Sequence, residues 1–360
     1  MKFSCDKYVL QQAAASAARA AAAKSPIPTL EGLLIEAGAS VRITGYDLKK
    51  AIYTTIDADI PEPGSVLIGA RLFCERLRRR PDGIVTVEAE NGTVSVKCGK
   101  AAFNLGGLSA DDYPDRPGVE AENGVSLPQD LLKKMINECS FAVSTNESRP
   151  VYMGTLFEIE NNVLTMVSVD GYRLALRREA VEGYGDDCSF IVPGTALSDL
   201  ERLCGDSDER VVLSVGSKHI SFTVGNTVIL SRRLEGDFLN YKKAIPESFR
   251  VTVKTARTDL LEVVERVSLI IDSKNNAPLR LTFRKDAIDF VSTTPLGKAA
   301  DSCPCEGVGG DLETGFIVHS LSDARQAAPA DEITASLTTG STPFNHVAAA
   351  GPHTPVYMAL

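Results

Sequence analysis

The chain has 360 residues, 44% hydrophobic and 24% charged, a composition ordinary for a water-soluble globular protein and a length too great for a single core. No apolar run approaches the roughly 18–20 residues that span a bilayer, and the start Met1-Lys2-Phe3-Ser4 lacks a signal-peptide core, so a cytoplasmic protein without membrane contact is expected. The net charge of −9 argues against a nucleic-acid partner only as a total, because such binding needs a local basic surface.

In chain order, a short strand at 2–5 precedes an alanine-rich helix over 6–23, whose buried stripe is Leu10, Ala13, Ala14, Ala17, Ala18 and Ala21. The loop Lys24-Ser25-Pro26-Ile27-Pro28 ends it, since proline blocks continuation. Strands are predicted at 30–36, 41–44, 51–56 and 65–68, then a helix over 70–80 and a turn at Pro81-Asp82-Gly83. Two strands, 84–90 and 93–105, follow, joined by an Asn91-Gly92 hairpin signal.

The same order then recurs. Pro128 is placed in the first turn of a helix, a position proline favours, with Leu131, Leu132, Met135, Ile136 and Cys139 on its buried face. The run from Pro150 to Glu158 mirrors that from Pro28 to Glu36. A second helix over 195–204 and strands at 210–215 and 219–230 complete the unit. In the last third Thr258 is a candidate N-cap, strands are expected at 278–283 and 287–293, and a short helix is weakly indicated at 322–328. Pro28, Pro150 and Pro278 stand 122 and 128 residues apart, a domain-sized period rather than that of a solenoid. Three copies of one α+β domain are expected, at 1–119, 120–248 and 249–360; chance agreement of common strand patterns is the alternative. The charge divides unevenly: 15 basic against 14 acidic residues (+1), 13 against 20 (−7) and 10 against 13 (−3).

One stretch stands out, Leu164 to Arg177. It alternates as a half-buried strand, turns at Asp170-Gly171, and resumes with Tyr172, Arg173 and Leu174. An aromatic, a cation and an apolar group in sequence cannot do acid–base or nucleophilic chemistry unaided. They suit a surface that is gripped by something else.

With this repeat in view, the chain resembles the bacterial DNA polymerase III β subunit family, the sliding clamps of replication, over essentially its whole length. The resemblance rests on the order and spacing of Met1-Lys2-Phe3, residues 25–34, Thr145 to Pro150, Val169 to Leu174, Leu234 to Tyr241 with Ile245-Pro246, and the apolar C-terminus. It implies three similar clamp domains, each two helices packed on antiparallel sheets, and a head-to-tail dimeric ring around double-stranded DNA. It further implies a non-catalytic processivity factor without cofactor or metal. Short peptides of the replicative polymerase, the clamp loader, repair polymerases and ligase are its implied partners.

Encirclement needs only modest positive potential on the inner helices. Candidate lining residues are Arg19, Lys24, Arg71, Arg78, Arg79, Lys133, Lys134 and Arg202, and by resemblance Lys24, Arg71 and Asn146 are the ones to touch DNA. Carried over by position, the peptide pocket is Tyr152, Val169, Gly171, Tyr172, Arg173, Leu174, Leu239, Lys243, Ala244, Val356, Tyr357 and Met358. Phe103 and Leu105 match one side of the family's dimer interface, Ile270 and Ile271 the other; both sets read equally as core.

The chain departs from the family in several places. It ends Pro355-Val356-Tyr357-Met358-Ala359-Leu360 where a Met-Pro-Met-Arg-Leu-like tail is usual. Val169 stands for a usual threonine, Tyr172 for histidine, Leu239 for proline and Lys243 for arginine, the last losing bidentate geometry. A paralogue with a different partner is therefore one alternative, and an enzyme with a site in the Gly-rich 301–315 region is another. No phosphate-cradling Gly-x-x-x-x-Gly-Lys motif occurs, and Gly307-Val308-Gly309-Gly310 reads as loop. Cys303 and Cys305 with His319, His346 and His353 lack zinc-site spacing. The eight scattered cysteines suit free thiols in a reducing compartment.

Overall fold

The computed structural model describes residues 1–360 except 116, 119–122, 185–186, 246–247, 272–277, 319–320, 322, 324–330, 339–343, 349–354 and 359–360. In the first third, β1 (Lys2–Asp6) runs directly into α1 (Lys7–Ala18). The Asp6 carboxylate caps that helix by accepting from the Tyr8 and Val9 amides. After a 3-10 turn at Pro28–Glu31 come β2 (Gly32–Ala37), β3 (Val41–Tyr46), β4 (Lys50–Ile56), β5 (Asp59–Glu62) and β6 (Gly64–Gly69). Then follow α2 (Ala70–Arg78), β7 (Ile84–Glu90), β8 (Thr93–Cys98) and β9 (Ala101–Leu108).

The middle third repeats the plan with β10 (Asn123–Pro128), α3 (Gln129–Ser140), a 3-10 turn at Pro150–Met153, β11 (Gly154–Glu160), β12 (Val163–Val169) and β13 (Arg173–Ala180). It continues through β14 (Glu182–Tyr184), β15 (Cys188–Pro193), α4 (Gly194–Leu203), β16 (Arg210–Val215), β17 (His219–Val224) and β18 (Thr227–Arg232). The last third holds β19 (Val251–Ala256), α5 (Arg257–Ser268), β20 (Leu279–Phe283), β21 (Ala287–Thr294), β22 (Gly297–Pro304) and β23 (Glu306–Val308). It ends with β24 (Leu312–Phe316), β25 (Glu332–Leu337), β26 (Phe344–Ala348) and β27 (Pro355–Met358). In all three thirds a strand leads without a loop into the first long helix.

The chain gathers into two compact units, one of residues 1–133, 182–186 and 195–233, the other of 134–181, 187–194 and 234–360. In the first unit the strands run β14-β10-β16-β17-β18-β4-β3-β2-β6-β9-β8-β7-β1-β5. The link across it is the antiparallel pair β4–β18, from Thr54 opposite Thr227 to Lys50 opposite Ser231. Its core gathers Phe3, Leu10, Ile35, Ile43, Phe73, Leu77 and Val85, all fully buried. β3 crosses α1 so closely that a Cβ on Gly45 would lie 2.0 Å from the Ala17 carbonyl oxygen, so only glycine fits there.

In the second unit one sheet runs β15-β11-β12-β13-β27-β26-β25-β19-β23 and another β22-β21-β20-β24. Here the link is β13–β27, with Arg173, Leu174 and Ala175 opposite Met358, Tyr357 and Val356. Val253, Leu260, Val264, Leu281, Phe283 and Phe290 are buried together in the core that α5 covers.

Several expectations need correction. Pro128 is the last residue of β10, and α3 starts at Gln129; its ring closes a strand rather than opening a helix. Thr258 is not a cap: α5 begins at Arg257 after Ala256, which makes no side-chain capping bond. The segment 93–105 is two strands turning at Gly99, which has φ +57°, and 219–230 is likewise two strands turning at Gly225, φ +55°. Glu306–Val308 is a short strand paired with β19, not loop. The helix expected at 322–328 lies largely outside the described residues.

Candidate functional site

The turn after β12 is built by one carboxylate. Asp170 Oδ1 accepts from the amides of Tyr172 (2.9 Å) and Arg173 (3.0 Å), and Gly171 takes a φ of +101° that other residues rarely adopt. This leaves Tyr172 58% exposed and turns Leu174 inward, where it is 5% exposed. Arg173 is held on three sides. Its Nε donates to Asp170 Oδ2 (2.9 Å), Nη1 to Asp323 Oδ2 (2.8 Å) and Nη2 to the Phe141 carbonyl (2.7 Å). Its guanidinium also lies 5.2 Å from the centroid of the Phe141 ring.

Behind the turn is a compact apolar group: Leu156, Val167, Val169, Leu174, Leu176, Ile191 and Tyr241 buried, with Val151, Tyr152, Leu234, Phe238 and Ile245 packed on it. Alternate inward positions of β11, β12 and β13 supply one side. The loop 234–245 supplies the other and is tied down at both ends. Leu234 bonds the Ile191 carbonyl at 3.0 Å, and the Tyr241 hydroxyl donates to Glu158. Burial, then the Glu158 carboxylate, push the Tyr241 phenol up to about 12. Tyr152 and Phe238 meet edge to face with centroids 5.6 Å apart.

The expected pocket residues thus come together in part. Val169, Leu174 and Tyr152 share the apolar group, with Gly171, Tyr172 and Arg173 on the turn beside it. Leu239, Lys243 and Ala244 are exposed members of the loop that carries Phe238 and Tyr241. Val356, Tyr357 and Met358 lie on β27 next to β13, while their side chains fall outside the described residues. Sequence reasoning did not single out Leu156, Leu176, Ile191, Phe238 and Tyr241. The signal available was inward alternation for the first three and the two aromatics of the 234–241 motif.

The expected basic residues differ in freedom. Lys24, Arg78 and Arg202 are exposed, as is the loop residue Asn146. Arg71 is 87% exposed along its side chain and pairs with Glu75 one turn on. Arg19 approaches Asp199 at 4.0 Å, and Lys133 is drawn to Asp206 at 2.7 Å. Phe103 and Leu105 are half-buried on β9, where Arg80 covers the Phe103 ring. Ile270 and Ile271 are half-buried just after α5.

His319 and His353 lie outside the described residues, and Cys303 is buried on β22. Among the described residues no three His, Cys, Asp or Glu side chains gather as metal ligands would. Nor is any helix there long and apolar enough to cross a membrane.

Three family models match the chain in succession: the N-terminal domain of the DNA polymerase III beta subunit at residues 1–117, the central domain at 126–240 and the C-terminal domain at 242–351. The chain is 30% identical over 359 residues to the beta sliding clamp of Bacillus subtilis, covering 96% of this chain and 95% of that one. It is 29% identical to that of Halalkalibacterium halodurans, with the same coverage. Among solved structures, the B. subtilis DNA polymerase sliding clamp superposes with a TM-score of 0.95 at 28% identity, covering 100% of this chain and 98% of that one. The DNA polymerase III beta chain of Streptococcus pneumoniae superposes with a TM-score of 0.94 at 26% identity, covering 99% and 98%.

Proposed function

We propose, from the premise that the chain belongs to the DNA polymerase III beta subunit family, the sliding clamps that serve as non-catalytic processivity factors, that two copies close head to tail around duplex DNA. The observation that carries this is the repeated use of one strand edge. The fourth strand of one repeat pairs with the last strand of the next, as β4 with β18 in one unit and β13 with β27 in the other. The corresponding strands left over are β22 and β9. Among the described residues β22 pairs only with β21, and β9 beyond β8 meets β6 only at Leu108 and Gly107. Open edges of this kind invite strand pairing. A second copy offers β9 to β22 and β22 to β9, which is a closed arrangement of six repeats.

Phe103 and Leu105 on one side and Ile270 and Ile271 on the other would then form the apolar part of that contact. The domain limits 1–119, 120–248 and 249–360 place each repeat between two such seams. Lys24, Arg71, Arg78, Arg202 and Asn146 would face DNA, with Arg19 contributing less because Asp199 lies beside it. The apolar group behind Tyr172 would receive short peptides of the polymerase, the clamp loader, repair polymerases and ligase. Tyr, Leu and Phe side chains there give apolar area to flexible segments. The place of action is the cytoplasm.

The test is the mass in solution. Sedimentation equilibrium should give a species twice the 38.5 kDa of one chain. A monomer at every concentration up to tens of micromolar would contradict closure by paired edges.

A further inference from the structure

The Arg173–Asp323 pair has a counterpart elsewhere in the chain. At the end of β3, Asp47 Oδ1 accepts from the amides of Lys49 (2.9 Å) and Lys50 (2.7 Å), the turn that Asp170 makes for Tyr172 and Arg173. Lys50 opens β4 as Arg173 opens β13. Each cation reaches a carboxylate in a Leu-Ser-Asp sequence: Lys50 bonds Asp199, and Arg173 bonds Asp323. The leucine of each sequence, Leu197 or Leu321, is buried. In the last third Thr294 makes the turn and Gly297 opens β22, so the cation is present only where another repeat follows in the same chain.

From this we infer that Arg173 and Asp323 are a positioning pair, a latch that fixes the Tyr172–Leu174 wall against β27, and that Arg173 is not a contact for the bound peptide. Three of its five N–H groups are engaged by Asp170, Asp323 and the Phe141 carbonyl, and its side chain is only 11% exposed. Lys50 and Asp199 perform the same task at 14% and 9% exposure, at a seam for which no peptide pocket is proposed. The latch ties Arg173, the first residue of β13 and the one opposite Met358 of β27, to Asp323, and so holds the shape of the pocket beside it.

The inference rests on the pocket reading, and the experiment separates the two. The intact protein is titrated with a labelled synthetic peptide copying the C-terminal segment of the cognate polymerase III α subunit, and amide hydrogen exchange is followed on β13 and β27. Asp323→Asn should weaken the peptide about tenfold, the loss expected when only about one molecule in ten keeps the wall in its binding position. It should also speed exchange of the β13 and β27 amides, and Asp323→Glu should restore both. Were Arg173 a peptide contact, freeing it from Asp323 would leave affinity unchanged or raise it, and that result overturns the inference. If the parent protein binds no peptide, the pocket reading fails instead. Exchange then decides the latch alone, and unchanged exchange in Asp323→Asn overturns it.

Discussion

The guanidinium of Arg80 lies over the ring of Phe103, 4.6 Å from its centroid, at the edge of β9 that β8 does not cover. Arg80 Nε is buried and has no hydrogen-bond partner among the described residues. A cation over an aromatic face contributes roughly 0.5–1 kcal/mol, and the pair keeps the half-buried Phe103 ring as part of an apolar face on β9. Such a face suits a contact with another copy.

Phe103→Asp should therefore weaken self-association at least tenfold, read by sedimentation velocity over a concentration series. Arg80→Ala should weaken it less. Parent-like association in Phe103→Asp would place the interface away from β9.

Tyr152, in the turn at Pro150–Met153, meets Phe238 of the 234–245 loop edge to face within the apolar group. Tyr152→Ala removes that contact, worth roughly 0.5–1.5 kcal/mol beyond buried area. Affinity for a polymerase C-terminal peptide should fall about tenfold while the melting temperature drops only slightly. Unchanged affinity in a folded Tyr152→Ala protein would move the peptide site elsewhere.

Gly45 predicts a stability effect with no functional content. An added Cβ would meet the Ala17 carbonyl oxygen at 2.0 Å, and backbone cannot rotate away as a flexible side chain would. Gly45→Ala should cost about 1–3 kcal/mol, as overpacked sites do, seen as a lower urea midpoint. A midpoint equal to that of the parent would show that β3 and α1 stand further apart.

Tyr241 gives a pH signature. Its phenol is raised from 10.0 to about 12 by burial and by Glu158, so the fold favours the neutral hydroxyl. That contribution is complete below pH 10 and is lost as pH climbs toward 12. Ultraviolet titration should show a late step well after the exposed tyrosines, and Tyr241→Phe should reduce that step by one tyrosine. Loss of an early step instead would mean that the Tyr241–Glu158 bond does not form in solution.

Much of this was legible in the residues. The recurring prolines marked the same point in each repeat, after its first helix, because proline stops the preceding segment and, at Pro28 and Pro150, sets a 3-10 turn. The turn at Asp170-Gly171 was legible because few residue pairs allow that bend. The hairpins at Gly99 and Gly225 were not, being marked only by a change of phase, inward at Val94, Val96 and Cys98 and then at Phe103 and Leu105, and at Ile220, Phe222 and Val224 and then at Thr227 and Ile229, which reading each as one long strand hides. Nor was the loopless passage from strand to helix, which misplaced Pro128 and Thr258: both read as helix starts because the preceding strand leaves no loop to mark the boundary. At the site, the family resemblance pointed to Val169 and Leu174, but the partners of Arg173 lie at Phe141 and Asp323, 32 and 150 residues away. Only the folded chain brings them together. Arg19 is a similar case, counted as a free cation until Asp199 is placed beside it.

The central claim is that the protein holds DNA by enclosing it. Modest numbers of exposed cations give weak contact to linear duplex that falls steeply with salt. The direct measurement is retention on nicked circular plasmid and on the same plasmid cut once, after loading with a clamp loader and ATP and gel filtration in high salt. Enclosure predicts that protein stays with the circle and is lost from the cut molecule. Equal loss from both, or equal retention on both, would contradict it.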